Sequence, residues 1–138
     1  MRRVGRRIRL STVMQRWSLL ARVLLGLVYF VLGANGFLDF IPKPDGTSAS
    51  RALGDAFDES GYMWSLIEGT EVVGGLLLLT GVATPLGLVV LAPITVNVLL
   101  WNLLLDPSGM PIGIAVTLLH LYLGWSYRDD FRSLFRIG

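Results

Sequence analysis

Glu68 and Glu71 stand three residues apart inside Met63–Thr80, an otherwise apolar stretch long enough to cross a bilayer. A central ionised carboxylate on a spanning helix costs roughly 2.5 to 3.5 kcal/mol on insertion scales, and residues spaced i, i+3 share a helix face. That face must therefore look onto protein or a wet cavity, where carboxyls can bind a polar group or carry a proton. Three further residues could join such chemistry. His120 is the single histidine, Asn97 stands within the run Pro85–Leu105, and Arg22 lies inside the first apolar run. Depth counted from the outer helix ends at about 1.5 Å per residue puts Glu71 and Asn97 near 12 Å and His120 near 15 Å, one layer close to the midplane. Glu68, Asn35 and Asn102 form a second layer nearer the outside. Arg22 lies about 8 Å inside the opposite end, within reach of lipid phosphates or, turned inward, of a carboxylate. We expect the midplane layer to converge on one interior cavity.

The elements that must position these groups follow from composition. The chain has 138 residues, 53% hydrophobic and 16% charged, and the apolar residues come in four runs: 17–38, 63–80, 85–105 and 111–126. A spanning helix needs about 20 such residues, with roughly 17 to 25 tolerated. The connections 81–84 and 106–110 are short, so neighbours are antiparallel. The predicted fold is an all-α membrane protein, an antiparallel four-helix transmembrane bundle. In the long first loop, Thr47 or Ser48 offers an N-cap for a short helix ending near Ser60-Gly61, with Leu53 and Phe57 as its apolar stripe, so an amphipathic helix is expected over the outer mouth. On the first run Arg22, Gly26, Tyr29, Gly33 and Gly36 fall within about 80° of one another, a face suited to close approach of a second helix.

Charge distribution sets the expected orientation. Arg2, Arg3, Arg6, Arg7, Arg9 and Arg16 precede or abut the first run without an acid among them, while Asp39, Asp45, Asp55, Asp58 and Glu59 outnumber Lys43 and Arg51 in the first loop. The positive-inside bias then gives a basic cytoplasmic arm, 1–16, a membrane domain, 17–127, and a cytoplasmic tail, 128–138. An arginine cluster abutting a spanning helix is read as a topology determinant and not as a nucleic-acid site. The chain has no cysteine. Thiolate metal sites, iron–sulfur clusters and dithiol exchange are thereby excluded within it, one histidine cannot supply a bis-histidine haem, and no metal site is expected.

The segment EVVGGLLLLTGVATPL, Glu71–Leu86, resembles the second helix and turn of the DoxX family of small bacterial and archaeal membrane proteins. RVLLGLVYFVLG, Arg22–Gly33, resembles the family's first helix, and FDESGY, Phe57–Tyr62, its loop helix. The resemblance implies a four-helix bundle in the cytoplasmic membrane and marks Arg22, Glu71, Gly74, Gly75, Thr84 and Pro85 as motif members. It also implies an association with quinol oxidases and thiosulfate:quinone oxidoreduction. Our expectation is an accessory membrane subunit that binds a small amphiphile or a partner protein through its intramembrane polar cluster. A quinone is the cofactor the resemblance suggests, with none covalently held, and a membrane or peripheral oxidoreductase or a second copy of the chain is the partner. Two rivals are a quinone-linked redox subunit, supplied with electrons from outside, and a small-solute or proton pathway through Glu68, Glu71 and His120.

Overall fold

The computed structural model describes the backbone of residues 2–43 and 45–134 and the side chains of residues 13–43 and 45–132. The arm's Arg2, Arg3, Arg6, Arg7 and Arg9 and the tail's Arg136 thus lie outside the described side chains. Described residues form helices and turns without strands: α1 (Arg2–Leu38), α2 (Ser48–Ser60), α3 (Met63–Thr80), α4 (Thr84–Leu100), α5 (Met110–Ser126) and α6 (Arg128–Leu134). A π-turn, Trp101–Leu105, continues α4, and a 3₁₀ turn, Pro107–Gly109, leads into α5. α1 runs on through the basic arm instead of starting at Trp17, since nothing between Arg2 and Arg16 breaks a helix.

The element ends follow from local chemistry. Thr47 is the N-cap of α2 in a capping box with Ser50, an arrangement worth about 1 kcal/mol, and Gly61 closes that helix at φ 75°. α3 stops where Gly81 adopts φ 69° and its N–H reaches the Leu77 carbonyl. Pro85 and Pro111 occupy first-turn positions of α4 and α5, where a missing N–H costs nothing. At the end of α4 the Asp106 N–H reaches back five residues to the Trp101 carbonyl at 2.9 Å, which widens the last turn. Asp106 Oδ1 accepts the Ser108 N–H at 3.1 Å, and hydrogen bonds from Ser108 hold its carboxyl below the usual carboxylate range.

α1 packs against α3 and α5, and α4 packs against the same two, so the four long helices close a bundle in which sequence neighbours are spatial neighbours. Leu25, Tyr29, Leu78, Leu88, Leu91 and Leu123 are fully buried at its centre. The α1–α3 seam is backbone against backbone. A Cβ on Gly33 would stand 2.7 Å from the Glu68 carbonyl oxygen, and one on Gly75 2.6 Å from the Phe30 nitrogen. The outside is apolar too, with Leu104, Leu121 and Leu118 each more than half exposed. Four segments, Val13–Leu38, Met63–Thr80, Thr84–Leu105 and Pro107–Ser126, are long and apolar enough to span, and no more than 28% of any is buried in the bundle. Such a surface belongs in lipid. The expected all-α four-helix architecture with its loop helix is the one observed.

Candidate functional site

A cavity of about 200 Å³ lies between α3 and α4 under the loop helix. Glu71 and Ile67 from α3, Asn97 and Ile94 from α4, and Asn102 from the π-turn line it, with Phe57, Trp64 and Trp101 as an aromatic rim. α2 is held over this mouth at both ends. The Thr47 hydroxyl donates to the Leu105 carbonyl at 2.6 Å, and Phe57 meets Trp64 edge to face at 5.3 Å between centroids. Lys43 sits 5.7 Å from the centre of the Trp64 ring. α2 is therefore a fastened cover.

Glu71 is only 8% exposed and makes no hydrogen bond among the described residues. It stands at the edge of the seam, its Cβ among the atoms that a side chain on Gly33 would strike, at 2.9 Å. Asn97 has no hydrogen bond among the described residues either, yet it is exposed on the wall of the bundle, eight residues inside the end of its span. A bare amide at that depth is costly in hydrocarbon. Asn102, by contrast, donates to the Val98 carbonyl at 2.8 Å and braces the widened turn. Glu68 is also buried, but it lies across Gly36 of α1: a Cβ there would sit 2.0 Å from the Glu68 carboxyl carbon. Among its neighbours Lys43 attracts it, while Asp39 and Asp58 repel it. Glu68 thus belongs to the α1–α3 mouth and does not line the cavity that Glu71 lines.

His120 lies elsewhere. Its Nε2 is 3.0 Å from the Leu88 carbonyl oxygen, which can only accept, so Nε2 carries a proton. In the neutral ring Nδ1 is then an acceptor, and it takes the Thr95 hydroxyl proton across 2.7 Å. Thr95 in turn accepts from the fully buried Tyr29 hydroxyl. One directed chain, Tyr29 to Thr95 to His120 to the Leu88 carbonyl, ties α1, α4 and α5 together. Leu88 precedes Val89, whose carbonyl loses its helical donor to Pro93. The expected convergence of Glu71, Asn97 and His120 is therefore half met: the first two share a cavity, and the third faces another side of α4. The reason is angular. Thr95 and Asn97 are two residues apart, about 200° around the helix, so a side chain that meets Thr95 cannot also face Asn97. A hydroxyl facing a tyrosine across a bundle core, as Thr95 faces Tyr29, leaves no sequence signature of its own. Asn35 is likewise occupied, exchanging two hydrogen bonds with the Ile41 backbone where the chain leaves α1.

Arg22 does not reach Glu71. Its guanidinium lies beside Gly81, where a Cβ would be 2.3 Å from Nη1, ten residues and about 15 Å along α3 from Glu71. Among the described residues no group of three or more metal-ligating side chains could hold a metal ion.

A four-helix, multi-pass integral membrane protein with a covered polar cavity near one mouth is the class this architecture defines. The DoxX family model matches residues 17–102, more than half of the chain, and the protein belongs to the DoxX family. No curated protein and no solved structure matches it. The matched segment contains Arg22, Glu68, Glu71 and Asn97 and ends at Asn102, so α5 and His120 lie beyond it.

Proposed function

We propose that the protein is an accessory membrane subunit whose α3–α4 cavity holds the polar head of a small amphiphile. The observation that carries this is the pairing of a buried, unbonded Glu71 with an exposed, unbonded Asn97 under an aromatic rim. Pockets for drug-sized ligands run to about 300–1,000 Å³, so a cavity of about 200 Å³ suits a ring-sized head whose apolar tail runs out along the bundle in lipid. Asn97 can donate to a ring carbonyl, Phe57, Trp64 and Trp101 can stack on its face, and Glu71 can exchange a hydrogen bond or a proton with its other side. A quinone has that shape and those acceptors. If the bound head is a quinone, redox turnover still requires an external electron donor, since the chain supplies no thiolate and a single histidine. The test is mass spectrometry of small molecules retained through mild detergent purification, with wild type beside Glu71→Gln and Asn97→Leu. Retention by wild type and loss in both variants, with no loss of thermal stability, is the expected result. A wild type that retains nothing, or variants with the wild-type profile, would defeat the reading.

The arginine-rich end is proposed to face the cytoplasm and the loop helix the outside. Because the chain lacks cysteine, single introduced thiols report without background. Ser50 is buried in the capping box and unsuitable, whereas Asp55 and Arg128 are exposed. Asp55→Cys should react with an impermeant maleimide on intact cells and Arg128→Cys only after lysis; the reverse would overturn the orientation.

A further inference from the structure

At the opposite end of the bundle, Arg22 stands in a cleft that nothing in the proposed function uses. Two open cavities of about 390 and 690 Å³ share Arg22, Tyr127 and Asp130 in their walls. The Arg22 Nε is shut off from solvent and has no hydrogen-bond partner among the described residues, and Arg22 makes no ion pair among them. A guanidinium left this way has a directional donor and a full charge to place, and its fork geometry matches carboxylate and phosphate oxygens.

The surroundings hold the cation and add donors for an anion. Behind Arg22 is the C-terminal end of α3, whose carbonyl dipoles favour a positive charge, and Gly81 gives the guanidinium its space. Thr84, Pro85 and Leu86, the first turn of the 17-residue α4, line the smaller cavity beside it. That turn has no side-chain cap, since Ala83 is its N-cap residue, and with no N–H on Pro85 the Thr84 and Leu86 N–H groups are the donors it offers, while the positive end of the dipole adjoins the cleft. Gln15 stands on the wall of the larger cavity, as does Arg128, whose Nη1 donates to the Trp125 carbonyl at 2.9 Å. Of the two acids on that rim, Asp129 pairs with Arg132 at 3.9 Å and Asp130 has contacts of its own. Trp17, Trp125 and Tyr127 lie at the same end, where aromatic side chains mark headgroup depth.

We propose that the cleft around Arg22, between the α3–α4 turn and the start of α6, binds a phosphate group, either that of an anionic lipid headgroup or free phosphate. Arg22 grips the phosphate oxygens, Thr84 and Leu86 of the first turn of α4 supply backbone donors, and Arg22 itself is partly buried.

The test uses the full chain in mild detergent at about 1 M salt, where a Debye length of about 3 Å screens the exposed arginine arm but not a partly buried site. Native mass spectrometry after mixing with phosphatidylglycerol or phosphatidylcholine should show selective retention of phosphatidylglycerol by wild type. Arg22→Gln should weaken that retention about tenfold or more, the loss expected when a charge-assisted fork is removed, and Arg22→Lys should fall between them. Adding inorganic phosphate separates the sources. A rise in unfolding temperature with phosphate alone, with displacement of the lipid, assigns a soluble phosphate; lipid retention indifferent to phosphate assigns the headgroup. Equal retention of both lipids by wild type, together with no response to inorganic phosphate, would overturn the site, as would undiminished phosphatidylglycerol retention by Arg22→Gln. If Arg22→Gln does not fold, wild-type selectivity and the Arg22→Lys comparison decide the matter alone.

Discussion

The α1–α3 seam and the α3–α4 groove share one helix, yet they solve opposite problems. At the seam, Gly26, Gly33 and Gly75 let two backbones touch, and no added atom has a place to go. In the groove, Trp64, Trp101 and Asn97 line about 200 Å³ that is left unfilled beside a carboxyl. Membrane helices gain no hydrophobic energy from meeting each other, so dispersion contacts along the seam carry the association. The groove forgoes some of those contacts. A region that gives up packing while keeping costly polar groups is the one expected to bind something, and the two faces of α3 can be tested against each other.

The largest effect should fall on the seam. Gly75→Ala sets a methyl 2.6 Å from the Phe30 nitrogen and 2.8 Å from the Gly26 carbonyl oxygen, atoms of a helix backbone that can yield only by moving α1 away from α3. Overpacking of this kind costs about 1–3 kcal/mol, and thermal unfolding in detergent should show it as a clear drop. A variant as stable as wild type would mean that the seam has room for a methyl.

Next comes the buried chain. Tyr29→Phe removes the donor to Thr95, and His120→Phe removes the acceptor of the Thr95 hydroxyl and the donor to the Leu88 carbonyl. Hydrogen bonds between membrane helices average about 0.6 kcal/mol and reach about 1.7. We expect about 1 kcal/mol for Tyr29→Phe and somewhat more for His120→Phe. In a double-mutant cycle the two should couple, since both act through Thr95. Strict additivity would break the chain as described.

That chain also marks where the sequence stops being legible. Run lengths and the prolines and glycines between them set out four helices, the Thr47 cap and the α1 contact stripe, because each depends on residues close in sequence. Tyr29, Gly26 and Gly33 do lie on the packed face of α1. Depth along a helix is equally local, which is why Glu71 and Asn97 line one cavity as expected. Azimuth is not: whether His120 faces Thr95 or Asn97 depends on how α5 rotates against α4. The π-turn was hidden for a related reason. It arises where the Asp106 N–H passes over the usual carbonyl to reach Trp101, and the pinning of Thr47 to Leu105 crosses 58 residues of chain.

The groove should respond with the opposite sign to the seam. Asn97→Leu replaces an unbonded amide with an apolar side chain of similar volume at a lipid-accessible position, so stability should hold or rise by up to about 1 kcal/mol while ligand retention falls. A loss of stability instead would place Asn97 in a structural hydrogen bond with a partner outside this chain.

Acid should probe the outer turn. Asp106 is held below its ordinary pKa by hydrogen bonds from Ser108, so its contribution is complete above the unfolded carboxyl's pKa, near 4, and is lost as pH falls through the lower folded value. Wild type should therefore lose stability below about pH 4 relative to Asp106→Asn, whose side chain does not titrate, with the two profiles parallel at neutral pH. Profiles that stay parallel through the acid limb would show that the turn does not depend on the charge.

The smallest effect belongs to Gly69, on the same helix as Gly75 but about 240° around it. An added Cβ there meets nothing within 4 Å. In water, glycine to alanine in a helix gains about 0.8–1.0 kcal/mol, because alanine lowers the entropy lost on folding. Within a bilayer the separated helices remain helical, so most of that gain cancels between the packed and unpacked states. Gly69→Ala should therefore stay within about 0.5 kcal/mol of wild type, measured in the same detergent as Gly75→Ala. Because the chain alone leaves that face open, a cost comparable to Gly75→Ala would reveal a neighbour the monomer does not contain. A second copy of the chain docked along α3 would then be the first candidate, and crosslinking through Gly69→Cys would identify it.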